Sequence, residues 1–396
     1  MLTETEAREL VLSRITACGI ESVGLIDSLG RHGAAQLLAD VALPGFDNSQ
    51  VDGYAVRAQD AVLGARLDVV AEQSAGVDRH LTLPAGKAIR IFTGAPLPVN
   101  ADAVIMQEDV TRTGPSIEIN EAVTAGEHVR RTGSDLCRGQ VLLRPGQPIT
   151  ATLIGVLASQ GIATLPVHRL PTVSVLSTGD ELMAPGQPLL PGQLYNSNGP
   201  MLAAMLAALG VKDVQIHHCR DDLEATIQAL GTLAGTRDVI IISGGVSVGD
   251  HDHIKPALQA LGMTPELWRV KIKPGKPFLF VHRTQPRPLY VFGLPGNPVS
   301  SFVTYQLFVR SALLKLMGAA DFALPAIEAE LTGAVENDGG RAHYLRGRYA
   351  HGRFSPSGVQ QSHALFGLSQ SNALLLVKPG ESISAGARVM VHPFDL

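Results

Sequence analysis

The chain has 396 residues, 45% of them hydrophobic, which is enough to bury a large core divided among about two to four domains. A formal net charge of -4 gives no general attraction to nucleic acid or to a membrane, so any anion site must be local. Scattered cysteines, an acidic N-terminus and the lack of an apolar run of membrane-spanning length exclude a disulfide framework, a secretory signal and a membrane span, and predict a cytoplasmic protein.

Helical periodicity marks the N-terminal region. Thr3 and Glu6 have the spacing of a capping box, and apolar residues at helical spacing predict an amphipathic helix over residues 4–18. A second helix is expected over about 28–39. Helical spacing returns near 150–160, so the segments before and after the intervening stretch are predicted to pack together as one discontinuous domain.

A β-rich insert is expected over residues 44–139, where short apolar runs alternate with Gly, Pro and Asn turns. The insert contains polar clusters at 47–55, 92–98 and 133–136. Turn chemistry accounts for each cluster taken singly, so both a turn and a binding role remain open for them at this point.

Residues 171–318 alternate between short apolar strands and helices, which predicts a doubly wound, mostly parallel α/β domain. Parallel strands all end at one edge of a sheet, where α/β proteins bind their ligands. We therefore expect a site where four predicted strands run into Gly, Asp or Asn residues. These strand ends are Ser177-Thr-Gly-Asp180-Glu181, Cys219-Arg-Asp221-Asp222, Ser243-Gly244-Gly245 and Gly293-Leu-Pro295-Gly-Asn297-Pro298.

The third of these strands is the most informative. Its apolar, β-branched residues 239–242 predict a strand buried on both faces, and Gly244 and Gly245 would let backbone amides approach a ligand. Asp250 and Asp252 follow, with histidines interleaved. Such a group is able to bind a transition metal, but carboxylates close to a phosphate-like anion favour Mg²⁺.

A basic segment follows near residue 270. Arg269, Lys271 and Lys273 alternate with apolar residues, so on one strand these three cations would share a face. Lys276 adds a fourth cation on a turn stiffened by prolines, and since Pro277 follows it, the turn is not a phosphate-binding P-loop. A solvated edge strand is the alternative, but the stiff turn favours an anion site.

Residues 319–396 contain brief alternating runs separated by Gly, Ser and Pro, which predict a small β-barrel. It contains no catalytic constellation, and we expect His343 and His363 to be structural or exposed. Four domains are thus predicted: a discontinuous helical and linker domain at 1–43 and 140–170, a β-rich insert at 44–139, an α/β domain at 171–318 and a β-barrel at 319–396.

Six short motifs in register carry a family resemblance. They are Asp52-Gly-Tyr-Ala, Thr93-Gly-Ala-Pro, Ser177-Thr-Gly-Asp-Glu181, Ser243-Gly-Gly-Val-Ser247, Lys273-Pro-Gly-Lys276-Pro and Leu294-Pro-Gly-Asn-Pro298. Together they resemble the molybdopterin molybdenumtransferase family, which includes MoeA and the gephyrin E domain. The resemblance implies a homodimer of four-domain subunits that inserts molybdate into adenylylated molybdopterin and releases AMP with the help of Mg²⁺. It also implies that the β-rich insert of the partner subunit faces each α/β site.

The resemblance assigns roles to matched residues. Molybdate would be held by Arg269, Lys273, Lys276 and Ser300, of which the two lysines are also candidate catalytic residues. The pterin substrate would be bound by Ser177, Gly244, Gly245, Ser247, Pro295, Asn297 and Pro298. Mg²⁺ binding, or the positioning of water at the phosphoanhydride, would be performed by Asp180, Glu181 and Asp252. The partner subunit would contribute Asp52, Thr93 and Asp135. Further candidate acids are Asp221 and Asp222.

Some positions depart from the family pattern. Arg269 stands where many members have Lys. The arginine keeps the positive charge but changes the geometry of the hydrogen-bond donors. Ser134 stands at a position that is often acidic in the family, and Val51 at one that is often Met. The departures leave open whether molybdate or tungstate is the preferred anion.

Two alternative functions remain: a molybdopterin adenylyltransferase, or a protein that binds molybdopterin for storage or scaffolding without turnover. The family also implies transient contacts with the adenylyltransferase and with acceptor molybdoenzymes.

Overall fold

The computed structural model describes residues 1–246 and 253–394. The chain forms two compact units. One comprises Met1–Ala35, Pro145–Ala151 and Thr164–Leu396, and the other comprises Gln36–Arg144 and Thr152–Ala163. Within the described ranges, every helix is too short or too polar to cross a membrane.

The N-terminal helix α1 (Glu4–Arg14) begins at the predicted capping box, in which Thr3 Oγ1 accepts from the Glu6 N–H and Glu6 Oε2 accepts from the Thr3 N–H. It ends four residues earlier than predicted, because the chain turns extended at Ile15, which is buried in the core. Strand β1 (Ile20–Gly24) follows.

The predicted second helix over 28–39 is wrong. The segment contains only the end of a 3₁₀ turn (Ile26–Ser28) and the short strand β2 (Leu37–Leu38). Gly30 has a left-handed φ of 74°, and its N–H donates to Ile149 O instead of to a carbonyl of its own segment. The backbone hydrogen bonds therefore go to a distant part of the chain, which periodicity does not reveal.

The second unit is built on a six-stranded sheet in the order β7-β4-β6-β5-β9-β8. Alternate residues of β4 face two separate cores, with Tyr54 and Val56 in one and Ala55 in the other. The elements from β3 onward are β3 (Asn48–Ser49), β4 (Gly53–Val56), β5 (Arg66–Gln73), β6 (Lys87–Ile91), β7 (Ala103–Met106), β8 (Val110–Thr113), β9 (Ser116–Ile119), β10 (Val129–Arg130), β11 (Val141–Leu143), 3₁₀ turns at Ala58–Asp60 and Gln107–Asp109, and α2 (Ala151–Ser159).

Strand β12 (Thr164–His168) pairs with β1 and leads into the α/β sheet. The sheet has the order β16-β13-β17-β21-β20-β18, in which the first four strands are parallel, so the predicted mostly parallel domain is confirmed. The elements are β13 (Val173–Thr178), β14 (Leu182–Met183), β15 (Leu194–Tyr195), α3 (Asn198–Ala208), β16 (Val214–Cys219), α4 (Leu223–Thr236), β17 (Val239–Ser243), α5 (Ile254–Ala260), β18 (Leu267–Arg269), β19 (Ile272–Lys273), β20 (Pro277–Arg283), β21 (Leu289–Leu294), α6 (Pro298–Thr304), a π-helix (Tyr305–Val309) and α7 (Arg310–Leu316).

Both faces of this sheet are covered, as a doubly wound fold requires. On β17, Ile241 packs in a cluster with Leu206 of α3, whereas Ile242 packs in a second cluster with Leu230 of α4. Every residue of β17 is buried, which confirms the interpretation of its continuous apolar run.

The C-terminal region closes into a five-stranded barrel, because β24-β25-β22-β28-β26 are neighbours in turn and β26 also pairs with β24. The predicted barrel is confirmed. Its elements are β22 (Ile327–Leu331), β23 (Val335–Asn337), β24 (Ala342–Ala350), β25 (Arg353–Pro356), α8 (Leu365–Ser369), β26 (Ala373–Val377), β27 (Glu381–Ile383) and β28 (Arg388–Pro393).

The basic segment is divided between two sheets, so the prediction of three cations on one strand face is wrong. Strand β18 ends at Arg269 in the α/β sheet, whereas β19 pairs with β24 of the barrel. The break between them occurs where Val270 bridges to Leu2 and the Lys271 N–H donates to Leu2 O.

Candidate functional site

The four parallel strands β16, β13, β17 and β21 end around a cleft of about 850 Å³. Residues from every one of these strand ends contribute to its lining, together with the β14–β15 pair and a segment beside α8. The lining residues are Thr178, Gly179, Glu181, Leu182, Leu194, Tyr195, Asn196, Ser197, Asn198, Asp221, Ser243, Gly244, Gly245, Val246, Pro277, Pro295, Gly296, Asn297, Pro298, Ser300, His363 and Leu365.

The glycines after β17 lie against Thr178. Gly244 and Gly245 have φ values of 95° and 62°, and a Cβ on them would come 3.1 and 2.9 Å from Thr178 Oγ1, so a side chain would be both strained and crowded. The Gly244 N–H donates to Leu294 O, at 3.1 Å. Since that amide is occupied, Gly245 is the better candidate of the two for binding a ligand through its backbone.

Two asparagines that the sequence analysis missed hold this cleft together. Asn198 donates through Nδ2 to Ser243 Oγ at 2.9 Å and to Gly296 O at 2.7 Å, which joins the ends of β17 and β21. Asn196 donates to Ser177 Oγ at 3.0 Å, so Ser177 is buried with its hydroxyl engaged. The available signal was the Asn-Ser-Asn run at the start of α3, which was not singled out from the sequence.

Two polar atoms beside the cleft have no hydrogen-bond partner among the described residues. They are Thr178 Oγ1 and Asn198 Oδ1, both buried. The Asn198 amide orientation follows from its neighbour, because a carbonyl such as Gly296 O accepts only from the Nδ2 side. A buried polar atom without a partner is costly to a fold, so a ligand in the cleft that paired with these two atoms would remove that cost.

Two carboxylates line the cleft, those of Glu181 and Asp221. The Glu181 carboxylate lies close to the Gly179 backbone, where a Cβ would be 2.5 Å from Oε2. Asp180 is exposed, and its Oδ1 accepts weakly from the Asp221 N–H at 3.4 Å. Asp222 caps α4 by accepting from the Ala225 N–H at 2.8 Å, which accounts for it structurally.

Other predicted members of the metal site cannot be placed. Asp250, Asp252, His251 and the predicted substrate residue Ser247 lie outside the described residues. Within residues 1–246 and 253–394, no group of three His, Cys, Asp or Glu side chains is arranged to hold a metal.

The end of β21 contributes the opposite side of the cleft. Asn297 precedes α6 and its side chain makes no capping hydrogen bond, so it is available to a ligand. Ser300 lies on the first turn of α6 and is buried. The Val299 N–H donates to Ser362 O at 3.1 Å, which places His363 against the cleft. His363 is exposed, as expected from the sequence, but its place at the cleft was not foreseen.

The predicted cations are not gathered at the cleft. Among the described residues that line it, Pro277 belongs to the basic segment, but Arg269, Lys273 and Lys276 do not line it. Lys273 lies near His343, and burial, together with the positive charge of Lys273, lowers the pKa of His343 to about 4. The turn itself packs tightly on α6, because a Cβ on Gly275 would lie 2.6 Å from Thr304 Cγ2.

In the other unit, hydrogen bonds join the first polar cluster of the insert to the second and to the residues just before the third. Asp52 Oδ1 accepts from the N–H and the hydroxyl of Thr93, both at 2.8 Å. Asp47 accepts from Thr132 N–H at 2.8 Å and pairs with Arg131 at 2.7 Å, which links the first cluster to the loop that carries Asp135. The first and second clusters are therefore not independent turns, and the loop that leads into the third is tied to the first.

A second cavity of about 750 Å³ lies between α3, α6 and α8. It is mainly apolar, with Met201, Met205, Phe302 and Leu368 in its wall. Arg310 is the one charged residue among the described residues that line it. With no carboxylate and no glycine turn in that lining, it offers less to a charged substrate than the cleft does.

Three family models match in order along the chain. The MoeA N-terminal region (domain I and II) matches residues 2–161, the probable molybdopterin binding domain matches 174–315, and the MoeA C-terminal region (domain IV) matches 328–394. The cleft's strand ends lie within the second match.

Full-length relatives and solved structures agree with these matches. A molybdopterin molybdenumtransferase of Haemophilus influenzae is 34% identical and covers 100% of this chain and 99% of its own. Molybdopterin molybdenumtransferase 2 of Mycobacterium tuberculosis is 35% identical, with 100% of both chains covered. Two solved structures of molybdopterin biosynthesis MoeA proteins from Pyrococcus horikoshii are 31% and 28% identical to this chain, with TM-scores of 0.86 and 0.85 and 100% of both chains covered.

Proposed function

The chain belongs to the molybdopterin molybdenumtransferase family, a family of transferases in molybdenum cofactor biosynthesis, and we propose that it inserts molybdate into adenylylated molybdopterin with release of AMP. One observation carries the proposal. The cleft formed by the four strand ends combines a glycine turn, two carboxylates and buried unpaired polar atoms within the segment that matches a molybdopterin-binding domain.

The substrate is assigned to this cleft. Gly245, Asn297 and the unpaired Thr178 hydroxyl and Asn198 carbonyl offer hydrogen bonds to a pterin or nucleotide. The Ser177 hydroxyl accepts a hydrogen bond from Asn196, so we assign Ser177 to positioning rather than to direct contact with the substrate. Pro295 and Pro298 line the cleft together with Asn297, and Pro298 restricts the backbone of Asn297, which directly precedes it.

Mg²⁺ fits the oxygen donors at the cleft. Magnesium is usually held by one or two carboxylates and substrate phosphates, and retains water ligands. Glu181 and Asp221 line the cleft, so they are the proposed ligands, with Asp180 beside them and Asp252 retained as a prediction. When bound, the ion would neutralise phosphate charge at the bond that breaks.

Molybdate, as the second substrate, is a tetrahedral dianion. Ser300 and Pro277 line the cleft, and Lys276 directly precedes Pro277. Lys273 and Lys276 are exposed and have long side chains, so we propose that they attract molybdate to this wall, with Arg269 as a further cation. We also propose a homodimer in which Asp52, Thr93 and Asp135 of the partner subunit take part in the reaction.

The test is AMP release from adenylylated molybdopterin in the presence of Mg²⁺, with and without molybdate. We expect release that depends on molybdate and yields metal-containing molybdopterin. Tight binding without release would overturn the proposal in favour of storage or scaffolding. Transfer of AMP from ATP to free molybdopterin would overturn it in favour of an adenylyltransferase.

A further inference from the structure

The Asp52–Thr93 pair in the second unit is held more firmly than an exposed turn requires. Both hydrogen bonds from Thr93 go to Oδ1 of Asp52, and no described residue donates to Oδ2. The Thr93 N–H, then its hydroxyl, and then the charge of Arg90 lower the pKa of Asp52. Asp52 is therefore an ionised carboxylate with one oxygen free.

The backbone on either side of this carboxylate is also fixed. Asp52 O accepts from the Gln107 N–H at 3.1 Å. Gly53 has no room for a side chain, since a Cβ there would lie 1.9 Å from Ile105 O. Asp52 directly precedes strand β4, and its neighbours fix both its backbone and the direction of its side chain.

Arg90 contacts the two residues that fix this backbone, Gly53 through its carbonyl and Gln107 through its side chain. It stands opposite Tyr54 in the pairing of β4 with β6, and its guanidinium carbon is 4.9 Å from the ring centres of both Tyr54 and Phe92. It donates to Gly53 O at 3.1 Å and to Gln107 Oε1 at 2.6 Å. A planar guanidinium can stack on two rings and donate in two directions at once, whereas the point charge of a lysine cannot.

We propose that Arg90 is a positioning residue, which holds Asp52 and Thr93 in the orientation that the reaction requires. The inference rests on the proposed function, in which Asp52 takes part in the reaction. Arg90 would act through Gly53 O and the Gln107 side chain, and through its charge on the carboxylate, while the two rings hold its own side chain in place.

The test compares Arg90→Ala and Arg90→Lys with the control Arg66→Ala. Arg66 lies on β5 of the same sheet and pairs with exposed Glu118 at 2.9 Å, away from Asp52 in the pairing order. We expect kcat for AMP release to fall about a hundredfold in Arg90→Ala and about tenfold in Arg90→Lys, with KM changed by about twofold or less. Arg66→Ala should match the wild type.

A second readout does not depend on activity. In protein labelled with ¹³C at the aspartate carboxyl groups, the Asp52 signal should titrate at a higher pH in Arg90→Ala than in wild type or in Arg66→Ala, because a nearby positive charge has been removed. An unchanged Asp52 titration together with wild-type kcat would overturn the inference and leave the proposed function intact. A shifted titration in a protein that releases no AMP would support Arg90 as a positioning residue while removing the proposed function.

Discussion

The two edges of the α/β sheet use similar residues for opposite purposes. At the amino edge, Asp238 is buried and accepts from Arg169, Arg287 and the N–H and hydroxyl of Thr172, with distances from 2.7 to 3.1 Å. At the carboxyl edge, the Thr178 hydroxyl has no partner among the described residues, and Glu181 and Asp221 face a cleft. Thr172 directly precedes β13, and Thr178 is the last residue of the same strand.

The two edges differ in how much hydrogen-bonding capacity their polar groups leave unused. At the amino edge, Asp238, its two arginine partners and Thr172 satisfy one another, so they stabilise the fold and have little left to offer a ligand. At the carboxyl edge, the unpaired polar atoms of Thr178 and Asn198 lower the stability of the free protein, because they are buried without a hydrogen-bond partner among the described residues. Substitutions at the two edges should therefore have opposite effects on stability and on activity.

The largest effect on stability is expected from Asp238→Asn. Removing the charge breaks both arginine pairs, and we expect a loss of about 3 kcal/mol in the free energy of unfolding, measured by urea denaturation at neutral pH. AMP release per folded molecule should stay near the wild-type rate. A variant as stable as the wild type would show that the hydrogen bonds and ion pairs of Asp238 do not stabilise the fold.

The same residue gives a pH dependence. The arginines and the Thr172 N–H hold the pKa of Asp238 well below its usual range despite burial. A lowered folded-state pKa stabilises above the unfolded value of about 3.9, and this contribution is lost as the pH falls further. The stability difference between wild type and Asp238→Asn should therefore be full at pH 7 and shrink at about pH 3. An equal difference at both values would contradict this assignment.

At the other edge, Glu181→Gln should affect activity and not stability. Replacing the charged carboxylate with a neutral amide removes a proposed Mg²⁺ ligand, and we expect AMP release to fall about a hundredfold or more. The matched control is Glu224→Gln, an exposed residue on the first turn of α4. Activity retained in Glu181→Gln, or lost equally in both variants, would remove Glu181 from the site.

The smallest effects come from the most closely matched pair, Thr172→Val and Thr178→Val. Thr172→Val removes a hydroxyl that donates to the buried Asp238 carboxylate and accepts from the Asp238 N–H, and it should cost about 1–2 kcal/mol of unfolding free energy. Thr178→Val replaces an unpaired buried hydroxyl with a methyl group of similar size, so stability should stay within about 0.5 kcal/mol or rise. Binding of adenylylated molybdopterin should weaken only in Thr178→Val. Equal losses of stability would mean that Thr178 has a structural partner.

Much of this architecture could be predicted from the sequence. The unbroken apolar run of β17 and the Gly, Asp and Asn residues after four strands were sufficient to predict the parallel sheet and its ligand edge. The alternating runs after residue 320 were sufficient for the barrel. These features depend on periodicity and on turn residues, both of which are local properties of a sequence.

What could not be predicted depends on pairing between distant segments. The segment 28–39 has a helical pattern, but Gly30 bonds to Ile149. The basic run looks like one strand, but its second half pairs with the barrel. Gly244 looks open to a ligand, but its N–H is used by Leu294. Such long-range hydrogen bonds determine which polar atoms remain unpaired, so a short motif cannot predict them.

The most direct test of this account is a crystal structure of the Glu181→Gln variant with adenylylated molybdopterin, since slow release should retain the substrate. We predict density in the cleft, with the ligand beside Gly245, Asn297 and Thr178. Density in the apolar cavity between α3 and α8, with the cleft empty, would contradict the account and move the site away from the carboxyl edge of the sheet.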